Sequence, residues 1–391
     1  MRILFAHNRY QLAAGEEMVV QAEMALLQEQ GNAVSLFEVD NRSIQSPWSK
    51  LKAAAASVYS WSARQELCQR IEQFRPDVVH VHNFFPLLSP SVYDACQMME
   101  VPVVQTLHNY RLTCVNGKLF RDGQICESCL GQSIPWAGIR QGCYRDSVVE
   151  SAAVGVMIGV HQMRRTWGDR VNAFIALTPF QKAKMTQAGL PPERIHVKPN
   201  FLFDPQLPPR QTPGDYLLYV GRLWSEKGIQ TLVDAYLQHD ISMPLKIVGE
   251  GIMRENLEQQ VQRAGKAIEF LGWRSKPEVL ALMQNARALV FPSVWYETFG
   301  LTMIEAFACR VPVIASRLGG IAEIVQSGET GLLFEAGNGA ELAEQLEWAI
   351  AHPQAMQVMG QNARQVYENR YSPTANYEHL VRIYEKVGSM N

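Results

Sequence analysis

Residues 199–213 read Pro-Asn-Phe-Leu-Phe-Asp-Pro-Gln-Leu-Pro-Pro-Arg-Gln-Thr-Pro. Each proline ring fixes φ and removes an N–H donor, so neither a helix nor a sheet interior tolerates such a cluster. It divides the chain, and each side opens the same way. On the first side an apolar strand, Ile3 to Ala6, runs into a polar loop ending at Gly15. A helix from Glu16 to Gln30 follows, closed by Gly31 and Asn32, and then a strand from Val34 to Val39. On the second side the strand Tyr216 to Val220 leads through Gly221-Arg-Leu-Trp-Ser-Glu-Lys-Gly228 into a helix. Strands alternating with helices specify parallel α/β sheets. With 391 residues and 47% hydrophobic content, the chain has material for two cores. No Gly-x-Gly-x-x-Gly follows the first strand, which argues against a dinucleotide-dependent oxidoreductase.

The formal charge of −2 argues against a general nucleic-acid binder. Met1 to Tyr10 lacks the apolar core of a secretory signal, and the longest apolar run, Ala152 to Val160, is far shorter than the ~20 residues that span a bilayer. A cytoplasmic protein is expected, with any membrane contact peripheral at the inner face. Residues 43–75 predict one or two amphipathic helices, and Ser147 to Trp167 predicts another that ends near His161, Arg164 and Arg165. A core position suits that last helix best, although an apolar stripe beside basic residues also suits an anionic membrane. The strand Asp77 to His82 carries His80 and His82, to which the sequence assigns no role.

Three places carry chemistry. The stretch from Phe291 to Ala315 reads as strand, loop, helix and strand, with Glu297 in the loop and Glu305 on the helix. Phe299, Gly300 and Leu301 present backbone N–H groups at the positive end of that helix, where phosphates or hydroxyl oxygens bind. Taken alone, the two glutamates read better as a solvated Glu297 and a Glu305 paired with lysine or arginine. Arg222 and Lys227 are cations at a helix N-terminus, an unfavourable place unless an anion lies between them. His108 follows the strand beginning at Val103, at the carboxyl end where open α/β sheets place ligands.

These motifs resemble those of retaining glycosyltransferases of family 4. Glu297-Thr-Phe-Gly-Leu-Thr-Met-Ile-Glu305 is similar to the family's Glu-x7-Glu signature, and Gly221 to Gly228 to its pyrophosphate motif. Thr106-Leu-His108-Asn resembles its donor-side histidine motif. Two loops depart from the pattern: Ala14 stands where a glycine is usual beside Gly15, and Ala322 replaces a proline between Gly319 and Glu323. The resemblance implies a GT-B fold, two Rossmann-like doubly wound parallel-sheet domains facing a central cleft. The domains are expected at 1–205, which would hold the acceptor, and 206–372, which would bind the donor, with 373–391 crossing back onto the first. Tyr377, Leu380, Val381 and Tyr384 share the helical face that would make this contact.

The implied activity is transfer of a hexosyl group, with retention, from a UDP- or GDP-type sugar to a saccharide or lipid-linked acceptor in cell-surface glycan synthesis. In this reading His108, Glu297, Arg222 and Lys227 are catalytic. Gly15, Phe299, Gly300, Leu301 and Glu305 join Arg222, Lys227 and Glu297 in holding the nucleotide sugar, with no catalytic metal. A nucleotide-sugar epimerase or hydrolase of the same fold, or a non-catalytic binding subunit, is the alternative.

Residues 111–147 interrupt the α/β rhythm with five glycines and with Cys114, Cys126, Cys129 and Cys143. The spacing Cys-x11-Cys-x2-Cys-x13-Cys predicts an insertion with a structural zinc rather than disulfides.

Overall fold

The computed structural model describes residues 1–10, 15–208 and 214–389. Ala14 and the linker residues 209–213 lie outside the described residues. The chain divides into two compact units. The first holds Met1–Arg121, Cys126–Asn200 and the chain from Asn376 onward, and the second holds Asp122–Ile125 and Phe201–Ala375.

The first unit is built on strands β1 (Arg2–Arg9), β2 (Ala33–Asp40), β3 (Val78–Asn83) and β4 (Val103–Thr106). After the insertion, which contributes the two-residue strands β5 (Phe120–Arg121) and β6 (Gln124–Ile125), come β7 (Ala173–Ala176) and β8 (Ile195–Val197). They form a parallel sheet in the order β2-β1-β3-β4-β7-β8. Ile3, Leu4, Phe5 and Ala6 are wholly buried, as a continuous apolar run on a parallel strand covered on both faces must be. The helix Gly15–Glu29 lays Val19, Val20, Leu26 and Leu27 into the core, each worth about 1.5–3 kcal/mol on full burial.

The second unit repeats the plan with β9 (Leu217–Val220), β10 (Leu245–Val248), β11 (Ile268–Gly272), β12 (Ala288–Phe291), β13 (Val313–Ser316) and β14 (Gly331–Phe334). Its parallel order is β11-β10-β9-β12-β13-β14. In both sheets the chain winds outward from its first strand and then returns to that strand's other side. The order therefore reverses between β1 and β3, and again between β9 and β12. In open α/β sheets the loops at the carboxyl ends of the strands flanking such a reversal are where ligands bind.

Three departures from the sequence reading have physical causes. The helix expected from Ser147 to Trp167 ends at Met163, because Arg165 adopts φ 51°, and a short helix Thr166–Asp169 restarts behind it. His161 locks this break by bonding Thr166 Oγ1 at 2.9 Å. The strands β8 and β14 have three and four residues, too short for a periodic signal. In the last helix, Pro373–Gly388, the buried stripe is Asn376, Leu380, Ile383, Tyr384 and Val387, whereas Tyr377 and Val381 are half-buried at its edge. This helix returns to the first unit. Asn376 donates to the Pro199 carbonyl at 2.9 Å, and the Tyr384 hydroxyl meets His80 Nδ1 at 2.7 Å.

Candidate functional site

In the second unit the site grows from the two loops that flank the strand-order reversal. The loop after β9 carries Arg222 and Lys227, and the loop after β12 runs from Pro292 to Gly300. Gly228 joins them: its φ is +66°, and a Cβ there would stand 1.8 Å from the Pro292 carbonyl oxygen. Only glycine permits that approach. The Val294 N–H donates to the Glu226 carbonyl at 3.0 Å, a second tie between the loops.

Lys227 and Glu297 consequently meet. Lys227 Nζ lies 2.6 Å from Glu297 Oε1, and Ser293 donates to the same oxygen at 2.7 Å. The carboxylate is 5% exposed, and Lys227 also lies over the Trp295 ring at 5.2 Å. Arg222 is more exposed, 4.0 Å from Glu226, with its backbone carbonyl accepting from the Tyr219 hydroxyl at 2.9 Å. Burial first, and then the nearby Glu297, push the Tyr219 hydroxyl far above its ordinary range.

Gly300, at φ +92°, starts the helix Leu301–Ala308, whose Met303, Ile304, Ala306, Phe307 and Ala308 are all buried. Its free N–H groups at Gly300 and Leu301 follow directly on Phe299, which packs edge-on against Tyr371 at 5.8 Å. Glu305 is the single carboxylate on this helix and pairs with Lys276, the first residue of the helix Lys276–Asn285. Trp273, 72% exposed, stands on the loop after β11, where Gly249 N–H donates to the Gly272 carbonyl at 2.9 Å.

In the first unit His108 stands just beyond the carboxyl end of β4, and His82 at that of β3. Their rings face each other, with His82 Nδ1 and His108 Nε2 2.9 Å apart. Behind them lies a buried charge pair, since Lys198 Nζ donates to Glu23 Oε1 at 2.5 Å and both side chains are wholly inaccessible. Glu23 Oε2 is 3.4 Å from His82 Nε2. The assignment that suits these contacts puts the His82 proton on Nε2 toward the carboxylate, so that Nδ1 accepts from His108 Nε2–H. Burial would raise Glu23, but Lys198, His82 and His80 outweigh it and hold the carboxyl well below its usual range. Burial and the adjacent His82 push His108 well below the usual imidazole range, leaving it neutral.

Gly15 is the first residue of the helix Gly15–Glu29, so its N–H group lies at that helix's positive end. Glu17 accepts from the Tyr10 N–H at 3.1 Å. Burial and the adjacent Glu17 push the Glu16 carboxyl well above its usual range, and burial lowers His7 to about 3. His7 is therefore neutral at neutral pH.

Cys114, Cys126, Cys129 and Cys143 line one small cavity, and none of the seven cysteines forms a disulfide. Burial pushes Cys129 up to about 11. Among the described residues, Glu23, His80 and His82 form a group that could hold a metal, their ligand atoms lying within 4.8 Å of one another. Elsewhere on this unit a groove of about 400 Å³ is lined by Ile44, Leu51, Ala54, Val149 and Ala153 together with Lys50, Arg145 and Glu150, the last two paired at 3.6 Å. Val149 is 80% exposed. No helix among the described residues is long and apolar enough to cross a membrane.

Sequence reasoning brings Lys227 and Glu297 together through motifs but misses Ser293, Lys276, Glu23, Lys198 and His82. Two of these had a readable signal. Glu23 sits within the apolar stripe Val19, Val20, Leu26 and Leu27, and His80 and His82 alternate with valines on one face of a strand.

Residues 9–200 match the family described as Glycosyl transferase 4-like domain, and residues 203–366 match Glycosyl transferases group 1. The glycogen synthase of Mycobacterium tuberculosis is 30% identical over 301 residues, covering 75% of this chain and 64% of that protein. The chain spans between 42 and 64% of the length of the first curated relatives it matches. In fold it is similar to Anabaena HepE in complex with UDP, with TM-score 0.69 and 20% identity over 98% of this chain and 100% of that one. It is also similar to the sucrose-phosphate synthase of Thermosynechococcus elongatus, with TM-score 0.72 and 20% identity over 100% of each chain. The architecture is GT-B, two Rossmann-like parallel sheets.

Proposed function

We propose that this chain, whose residues 9–200 and 203–366 match the 4-like and group 1 glycosyl transferase families, is a glycosyltransferase that moves a hexosyl group from a UDP- or GDP-sugar to an acceptor, with retention. The observation that carries this reading is the buried Glu297 carboxylate, fixed by Lys227 at 2.6 Å and Ser293 at 2.7 Å beside the open helix start at Gly300. A carboxylate held this firmly accepts sugar hydroxyls without reorganising, while the adjacent N–H groups and cations meet phosphate.

The nucleotide sugar is held by Arg222, Lys227, Glu297, Phe299, Gly300, Leu301 and Glu305, to which the family resemblance adds Gly15. Glu305 exchanges its Lys276 contact for the ribose hydroxyls. As the glycosidic bond breaks, negative charge grows on the pyrophosphate, and Lys227, Arg222 and the Gly300 and Leu301 amides stabilise it. The leaving phosphate takes the acceptor proton, so the reaction needs neither a protein base nor a divalent metal. The family resemblance assigns His108, which burial keeps neutral and His82 braces, to the donor sugar.

The second unit thus serves the donor and the first the acceptor. The largely apolar groove, which Lys50 also lines, suits a lipid-linked saccharide of the cell surface, reached from the cytoplasm by peripheral contact with an anionic bilayer. Incubating the protein with each UDP- and GDP-sugar and resolving the anomers of the product tests the reading. Transfer with retention is expected. Free sugar or an epimer as the sole product would make this a hydrolase or epimerase, and binding of every donor without turnover would make it a binding subunit.

A further inference from the structure

We infer that Cys114, Cys126, Cys129 and Cys143 together hold one zinc ion, and that this ion braces the loop carrying His108. The inference does not depend on the donor or acceptor of the reaction.

Four thiols from a 30-residue segment converge on one cavity of about 10 Å³, room for a single ion or water. No disulfide consumes them. The backbone around the cavity is shaped to sulfur. The Gly138 N–H donates to the Cys129 sulfur, and a Cβ on Gly138 would press to 3.2 Å from that sulfur and 2.7 Å from Val115 Cγ2. Between Cys126 and Cys129 the chain turns tightly, Leu130 N–H reaching the Glu127 carbonyl at 2.9 Å and Gln132 N–H the Cys129 carbonyl at 3.2 Å.

Four thiolates satisfy a tetrahedral zinc completely, which makes the site structural and leaves no position for water. Bound thiolates at ~2.3 Å from zinc stand about 3.8 Å apart. No three of these sulfurs lie mutually within 4.8 Å, so the ion would draw the ring inward.

Glu23, His80 and His82 bring their ligand atoms within 4.8 Å of one another but make a poorer metal site. Lys198 already occupies the Glu23 carboxylate, His80 is shared between Tyr384 and Thr106, and His82 Nδ1 faces His108. Binding there would set a cation beside a buried ammonium.

The ion's effect reaches His108 through few bonds. Cys114 N–H donates to the Tyr110 carbonyl at 2.8 Å, Tyr110 N–H to the Gly117 carbonyl at 3.0 Å, and Arg111 Nη2 to the Asn116 carbonyl at 3.3 Å. Between β4 and the helix Val148–Met163, regular structure amounts to two two-residue strands and the five-residue helix Trp136–Arg140. A segment so poor in regular structure gains most from a metal cross-link.

The test is elemental analysis of the full chain purified without chelator, with about one zinc per chain expected. Cys126→Ser and Cys143→Ser, at the two more exposed ligands, should lower zinc content and speed hydrogen exchange across residues 107–145 together, whereas Cys68→Ser should do neither. Because a cysteine variant can misfold, the native protein is also titrated with a mercurial thiol reagent beside a zinc indicator, and one zinc should appear as these four thiols react. Zinc well below one per chain with the four thiols alkylating freely overturns the inference, as does iron in zinc's place, or a Cys126→Ser protein that keeps its zinc.

Discussion

Both units are parallel α/β sheets whose strand order reverses beside the first strand, but they treat charge in opposite ways. In the second unit Lys227 with Glu297, and Lys276 with Glu305, remain ion pairs within reach of solvent, the lysines being 19% and 35% exposed. In the first unit Lys198, Glu23, His80 and His82 are sealed in, and the nearby His7, His80 and His108 are pushed toward the neutral form. A partly open ion pair can be re-partnered by an anionic ligand at small cost. A sealed pair cannot, and serves instead to hold the imidazoles in place.

The sharpest way to break that contrast is to cut one pair in each unit. Lys198→Met should cost about 3–5 kcal/mol, because it strands a buried carboxylate, and adding Glu23→Leu should recover much of the loss. Denaturant melts of the two variants check this; a near-neutral Lys198→Met would mean that the pair is not sealed.

The next effect separates the units by pH. Every histidine pushed downward, namely His7, His80, His108, His161, His196 and His379, belongs to the first unit. Above about pH 6.5 these imidazoles are neutral whether folded or not. Below it the unfolded chain takes up protons that the fold refuses, so stability falls as pH falls, by about 1.4 kcal/mol per pH unit for each fully excluded group. For His7 this continues until the pH reaches about 3. Hydrogen exchange followed from about pH 7.5 to about pH 5.5, corrected for intrinsic rates, should show protection lost in the first unit ahead of the second. Equal loss in both would contradict the contrast.

The smallest effect belongs to the open pair. Lys276→Ala should cost about 1 kcal/mol or less, since its ammonium is 35% exposed. A loss as large as that of Lys198→Met would show that solvent reach does not distinguish the two units.

The same contrast explains what could be read from the chain. Gly221 to Gly228 and Glu297 to Glu305 are contiguous runs in which glycine, cation and carboxylate stand at fixed offsets, so the donor loops are legible. So are the apolar strands that open each half, Ile3 to Ala6 and Tyr216 to Val220. Lys198 is 175 residues from Glu23, and their pairing arises only when β1, β3, β4 and the helix Gly15–Glu29 have packed. Lys276 is equally silent, an ordinary cation at a helix start until the fold sets it against Glu305. Contacts made by tertiary folding leave at most a polar residue in an apolar stripe.

The most direct test compares the native protein with Glu297→Gln, which keeps the size of the side chain and removes its charge. Turnover of the preferred nucleotide sugar should fall at least about 100-fold, or about 2.7 kcal/mol of transition-state stabilisation, while affinity for the free nucleoside diphosphate and the melting temperature stay close to native. Native-like turnover in a folded Glu297→Gln protein would contradict the placement of the donor sugar at the Lys227–Glu297 pair.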